Sequence, residues 1–309
     1  MSGAGNLAQY LSARRSEVDT ALLTFLPSPP SCPALIAEAM RYSVAAGGKR
    51  LRPILCLASA EAVGGSRDMA MPAACALEFI HTYSLIHDDL PAMDNDVLRR
   101  GVPTLHVVAG EGMAILAGDG LLTEAFALIA REPAGDAPAL HARTVRVIGI
   151  VAAGAGAAGM VGGQAIDLAS VTPATDSTAP TPLDADGLQD MHARKTGALI
   201  RAAAAAGAVM GGGSDTEVGA IDRAAAELGL AFQIIDDVLD VEGATADLGK
   251  TARKDSSAGK PTYPARYGVE RSRAMAAECL VRATATLEQA GLSQSRLPDI
   301  GRWIVERAN

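Results

Sequence analysis

Asp88, Asp89, Asp94 and Asp96 crowd four carboxylates into the nine positions from Asp88 to Asp96, in the stretch His87-Asp88-Asp89-Leu90-Pro91-Ala92-Met93-Asp94-Asn95-Asp96. Like charges this close repel, so such a run is either a solvated surface loop or the wall of a cation site. The preceding ALEFIHTYSLIH is largely apolar and reads as a buried helix, which weighs against the solvated loop. Oxygen-only donors favour Mg²⁺ over Zn²⁺. Asp88 and Asp94 are six apart and would fall on different faces of a straight helix. Pro91 breaks the helix between them, so the chain can fold Asp94 back towards Asp88. A second cluster, Asp236, Asp237 and Asp240, lies in LGLAFQIIDDVLDVEG. Asp236 and Asp240 are spaced i, i+4 and share a helical face, about 6 Å apart in rise. One such cluster is easily met by a surface helix. Two suggest several Mg²⁺ ions held from opposing walls, and because Mg²⁺ takes phosphate oxygens along with carboxylates, a diphosphate substrate is implied.

Cations suited to that substrate are present. Gly47-Gly48-Lys49-Arg50-Leu51-Arg52-Pro53 sets three basic residues after a diglycine and before a helix marked by Pro53. Arg99-Arg100-Gly101 follows the first acidic cluster, and Lys195-Thr196-Gly197, Lys250 and Lys260 lie in later breaks. Taken singly, each is an ordinary solvated charge; their placement at glycine turns and helix ends is what suits phosphate. His81 precedes Asp88 by seven residues, two turns back on the same side of the helix. A buried structural histidine is the plain alternative.

The elements that must carry these residues read as helices. Leu7 to Phe25, Pro33 to Val44, Pro53 to Val63, Met69 to Leu90, Gly112 to Ala130 and Ala137 to Val161 show helical spacing or Ala/Leu richness. Leu183 to Lys195, Ala198 to Met210, Ser214 to Val241 and two further stretches between Val269 and Arg307 continue the pattern, while strand signals are weak. SVTPATDSTAP and the following residues to Pro182 read as a surface loop, about 170–182, rather than a linker. One all-α domain over 1–309 is expected. Apolar residues are 49% and charged residues 20% of the 309-residue chain, enough for a core and too apolar for disorder. A formal charge of −8 and 3% aromatics speak against a nucleic-acid partner. Cys32, Cys56, Cys75 and Cys279 form no CxxC pair and are expected to be free, mostly buried thiols of a cytoplasmic protein. Arg14, Arg15, Glu17 and Asp19 interrupt any leader-like apolar run. Val147 to Ile166 is uncharged and long enough to span a bilayer, but Gly and Ala dominate it. A buried helix closely approached by a neighbour is expected there, and no membrane span.

With GGKRLRP, DDLPAMDND followed by LRRG, GGQAIDL, KTGALI, FQIIDDVLD and GKPTYP in this order, the chain resembles the trans-isoprenyl diphosphate synthases, or polyprenyl synthetases, and is most similar to their bacterial farnesyl diphosphate synthases. The resemblance implies an isoprenoid-synthase-type helical bundle around a deep central cavity, usually homodimeric. It implies Mg²⁺, about three per site, with Mn²⁺ as a substitute. Asp88 and Asp94 would bind two ions and Asp236 a third, supported by Asp89, Asp237 and Asp240. Arg99, Lys195, Lys250 and Lys260 would hold the allylic diphosphate; Lys49, Arg52, His81 and Arg100 would hold isopentenyl diphosphate. Thr196 and Gln233 would face the reacting carbons, and Gln164 and Asp167 would stand near the site. Gly197 invites a helix break whose freed carbonyls could face a carbocation. No side chain stands out as a general base.

Product length follows from what stands before Asp88. Tyr83 and Ser84 precede it by five and four positions, with Phe79 a turn further down, so they would floor an apolar tunnel. By the resemblance, Tyr at this place with a long first motif goes with a C15 product, farnesyl diphosphate; geranylgeranyl diphosphate synthase is the neighbouring alternative. A terpene cyclase would not need GGKRLRP or a second aspartate motif, and a non-catalytic partner subunit or helical scaffold would not need both clusters intact. The terminal VERAN is not strongly basic, which speaks against closure of the isopentenyl site by a basic tail.

Overall fold

The computed structural model describes residues 3–171, 183–246 and 262–307. They belong to two compact units, Met1–Val151 with Ala206–Gly213, and Ala152–Ala205 with Ser214–Asn309. Both are helical, as expected; among the described residues the only strand pairing is one two-residue hairpin.

The first unit contains α1 (Gly3–Phe25), α2 (Ala34–Ala45), α3 (Leu51–Ala62), α4 (Arg67–Asp88), β1 (Leu98–Arg99), β2 (Val102–Pro103), α5 (Leu105–Ala109), α6 (Glu111–Arg131) and most of α7 (Pro138–Ala155). β1 and β2 are antiparallel, with Arg99 opposite Val102. α4 is the central element, packed against α3 and α6. Its apolar run leaves Leu77, Phe79 and Ile80 fully buried, each contributing roughly 1.5–3 kcal/mol. Ser66 caps its start by accepting the Asp68 N–H. The end of α10 (Ala198–Gly211) belongs to this unit and lies hard against α3: a Cβ at Gly207 would sit 1.9 Å from the Cys56 carbonyl oxygen.

The second unit contains α8 (Met160–Val171), α9 (Ala185–His192), a π turn (Ala193–Gly197), the start of α10, α11 (Asp215–Ala246), α12 (Tyr263–Tyr267), α13 (Val269–Gln289) and α14 (Leu297–Glu306). α11 packs along α13, and α14 packs on both. Ser214 and Glu217 form a reciprocal capping box at the head of α11.

Two expectations need adjustment. The helix expected over Ala137 to Val161 is interrupted: α7 ends at Ala155 and α8 starts at Met160. Glycines make the tight junction possible, since a Cβ at Gly159 would lie 2.2 Å from the Gly154 oxygen. The close approach expected of the small residues is present, with Gly154 against Ala202. By length and composition alone, Arg67–Asp88, Glu111–Arg131 and Pro138–Ser170 could each cross a membrane. Their apolar windows are 78%, 39% and 33% buried within the protein, so packing covers the first and leaves much of the other two open.

Candidate active site

In the first unit, α4 ends at Asp88 and the chain turns back on itself. The Asp94 N–H donates to the Asp88 carbonyl (2.9 Å), the Asn95 N–H to Leu90, and the Asp96 N–H to Asp89. Asn95 takes a left-handed φ of 52° to make this turn. Pro91 thus has the effect expected of it, returning Asp94 to the end of the helix that carries Asp88. Asp94 is exposed and Asp88 half-buried, while Asp89 points inward. Arg99 on β1 reaches Asp89 with Nε at 2.8 Å and Nη2 at 2.6 Å. Burial raises the Asp89 carboxyl, opposed by Arg99. Burial also works against the Arg99 charge, but the bonds and charge of Asp89 keep that guanidinium above its ordinary value. Asp89, expected among the metal carboxylates, is in this arrangement the anchor of Arg99.

The basic residues of GGKRLRP divide by role. Arg50 is buried, in a left-handed conformation, with its side chain on Asp19, Glu78 and the Val44 carbonyl. It fastens the head of α3 to α1 and α4. Lys49 is exposed and Arg52 half-buried beside it. Arg100, at the hairpin turn, donates to the Gly47 carbonyl. A Cβ at Gly48 would lie 2.7 Å from the Arg100 guanidinium, so the diglycine is what lets this arginine dock. The two basic motifs therefore meet beside His81. Burial, then the charges of Arg52, Arg100, Arg99 and Arg50, hold that imidazole well below its ordinary pKa. So dense a positive field suits a polyanion.

Behind Asp88, Tyr83 is 7% exposed and Phe79 not at all. Tyr83 meets His87 edge-on, with centroids 5.7 Å apart. His87 Nε2 lies 3.1 Å from the Ile115 carbonyl on α6, where a Cβ at Gly118 would collide with the imidazole. Ser84 donates to the His81 carbonyl.

In the second unit, Asp236 is half-exposed and Asp240 exposed on α11, whereas Asp237 is buried. Asp237 accepts the Gln233 amide N–H (2.9 Å) and the Tyr263 backbone N–H (3.0 Å). Burial pushes its carboxyl up to about 6 against those two bonds. Thr196 donates to Gln233 Oε1 at 3.0 Å. A relay therefore runs from Thr196 through Gln233 and Asp237 to the head of α12, fixing which way the Gln233 amide faces. Lys195 Nζ pairs with Asp167 Oδ2 at 2.5 Å. Lys195, Thr196 and Gly197 lie in the π turn; the helix break expected at Gly197 is absent, and the helix runs on into α10 through one widened turn, a local shift of the carbonyl ladder rather than an end to it. Gly163 makes the turn possible: a Cβ there would be 2.1 Å from the Lys195 nitrogen. Lys250 and Lys260 lie outside the described residues.

Three residues at this site were not among the expected functional side chains, although Tyr263 lies within GKPTYP. His192 is buried 3.9 Å from Asp237, beside the Tyr263 ring. Burial lowers it to about 4. Among the described residues neither of its ring nitrogens has a hydrogen-bond partner. Arg307, from the terminal stretch that looked insufficiently basic, reaches Asp236. A lone histidine, tyrosine or arginine at a helix end is uninformative until its neighbours are in place.

Among the described residues, no three His, Cys, Asp or Glu side chains converge to hold an ion by themselves. The carboxylates left at least partly open to solvent, Asp88 and Asp94 in one unit and Asp236 and Asp240 in the other, are oxygen donors of the kind Mg²⁺ takes one or two at a time, with water and substrate phosphate completing its shell.

Residues 33–292 match the family model "Polyprenyl synthetase". A dimethylallyltranstransferase of Fischerella ambigua (strain UTEX 1903) is 46% identical over 304 residues, covering 98% of this chain and 84% of the relative. A geranylgeranyl diphosphate synthase of Cyanophora paradoxa is 49% identical, covering 86% and 85%. Among solved structures, an FPP/GFPP synthase of Zymomonas mobilis superposes with a TM-score of 0.83 at 35% identity, covering 98% of this chain and 99% of that one. The two carboxylate clusters, the arginine-ringed His81 and these likenesses have one source: the chain belongs to the polyprenyl synthetase family, as an all-α prenyltransferase that condenses isopentenyl diphosphate with allylic diphosphates.

Proposed function

We propose that this chain is a farnesyl diphosphate synthase. The observation that carries the chain length is the buried Tyr83 over the fully buried Phe79, about a turn and a half before Asp88. Asp88 and Asp94 at one cluster, and Asp236 and Asp240 at the other, would hold Mg²⁺, which when bound neutralises charge on the leaving diphosphate. Arg99 and Lys195, with Lys250 and Lys260, hold the allylic diphosphate. Lys49, Arg52, His81 and Arg100 hold isopentenyl diphosphate. The allylic C–O bond ionises, the carbonyls of the π turn and the Thr196–Gln233 pair face the cation, and the isopentenyl alkene attacks its C1. A proton is then lost to the departed diphosphate, so no side-chain base is required.

The active form is a cytoplasmic homodimer in this reading. Val107 and Val108 on α5 are 52% and 54% exposed, and Ile115 and Leu116 on α6 are 44% and 57% exposed, an apolar surface that a second copy would cover. A geranylgeranyl synthase is the second reading, favoured by the name of the Cyanophora relative. Incubation with Mg²⁺, labelled isopentenyl diphosphate and dimethylallyl, geranyl or farnesyl diphosphate, followed by product sizing, decides between them. C15 from the first two starters and no extension of the third is the expected result; C20 from all three would favour the second reading, and no product from any would favour a non-catalytic subunit.

A further inference from the structure

Arg307 occupies an unusual position. Its residue surface is 6% exposed, and Nη2 lies 2.5 Å from Asp236 Oδ1 and 3.1 Å from the Phe232 carbonyl. The guanidinium stacks on the Phe232 ring, 4.0 Å from its centroid. Among the described residues its Nε and Nη1 have no hydrogen-bond partner. Burial lowers its affinity for the proton, opposed by the charges of Asp236 and Asp240. The charge is therefore sustained by the second acidic cluster and by a π face. It caps the end of α14, where its N–H bonds the Trp303 carbonyl.

We infer that Arg307 is a built-in cation for the second aspartate cluster, guarding Asp236 so that a metal ion takes that carboxylate only together with diphosphate. The inference deepens the proposed function and rests on its metal reading of Asp236. Physically, Arg307 and Mg²⁺ draw on the same carboxylate charge, and two cations a few ångströms apart repel, the more so because the guanidinium is buried and little screened by water. A metal arriving alone must displace the guanidinium or tolerate it. A metal arriving with diphosphate brings the negative charge that lets both cations stay. Arg307 is thus a positioning residue: it sets the order of loading without touching the reacting carbons.

The test is a calorimetric Mg²⁺ titration of the full substrate-free chain, repeated with inorganic diphosphate. Arg307→Met is expected to tighten Mg²⁺ binding without diphosphate at least threefold and to change it little with diphosphate present. Arg307→Lys, which keeps the charge, should behave as wild type. Phe232→Leu removes the stacking face but leaves α14 intact, and should tighten metal binding partway. It serves if Arg307→Met fails to fold. Unchanged or weaker Mg²⁺ binding in the charge-removing variant, or in Phe232→Leu where it stands in, overturns the guard and leaves the metal reading standing. A wild-type chain that takes up no Mg²⁺ even with diphosphate contradicts the metal reading and overturns the guard with it.

Discussion

At the scale of single residues, the two acidic clusters share a division of labour that spacing alone does not reveal. In each, the first aspartate stands at least partly open while the second is buried and committed, Asp89 to Arg99 and Asp237 to Gln233 and Tyr263. The fold-back of Asp94 was legible because Pro91 dictates it locally. The burial of Asp89 and Asp237 was not, because it depends on partners ten and 26 residues away. Burial gives Asp237 and its neighbour His192 opposite pH signatures. His192, at about 4 in the fold, binds protons better when unfolded, so its contribution is intact above pH 6.5 and lost as pH falls towards 4. Asp237, at about 6, binds protons better when folded, so its contribution is present at acid pH and lost as pH rises through 6. Each amounts to as much as roughly 3 kcal/mol across the window. Urea unfolding of the metal-free chain at pH 4.5 and 7 should show His192→Gln less acid-sensitive than wild type and Asp237→Asn more so. Parallel behaviour of all three would refute the assignment.

At the scale of elements, helix positions were readable wherever Ala and Leu recur with helical spacing, and α4, α6, α10 and α11 lie close to their expected bounds. The break between α7 and α8 was hidden, since a Gly/Ala run looks continuous until the carbonyls that crowd Gly159 are known. The same chemistry makes Gly163 a sensitive point. It lets α8 press against the π turn that carries Lys195 and Thr196. Gly163→Ala must push that turn away, by more than a flexible side chain could absorb, because the obstacle is backbone. Activity should fall at least tenfold, about 1.4 kcal/mol of transition-state stabilisation, with the chain still folded by circular dichroism. Wild-type kcat/KM in this variant would show that the approach has no bearing on catalysis.

At the scale of the whole molecule, composition indicated a helical, apolar-rich chain and argued against a nucleic-acid coat. It left open the apolar surface of α5 and α6, because exposure is a property of the assembled unit. If a second copy covers Val107, Val108, Ile115 and Leu116, sedimentation equilibrium should give a dimer, and Leu116→Glu should shift it towards monomer by burying an unpaired charge. A wild-type monomer at micromolar concentration would remove the dimer from the account. The net charge of −8 is no obstacle to a small polyanion, since Arg50, Arg52, Arg99 and Arg100 gather around His81. The central claim is a prenyl chain grown from Asp88 towards Tyr83 and stopped there. Sizing the products of Tyr83→Ala beside wild type decides it: wild type is expected to give C15 and the variant C20 or longer, whereas an unchanged C15 product from Tyr83→Ala would show that Tyr83 is not the floor.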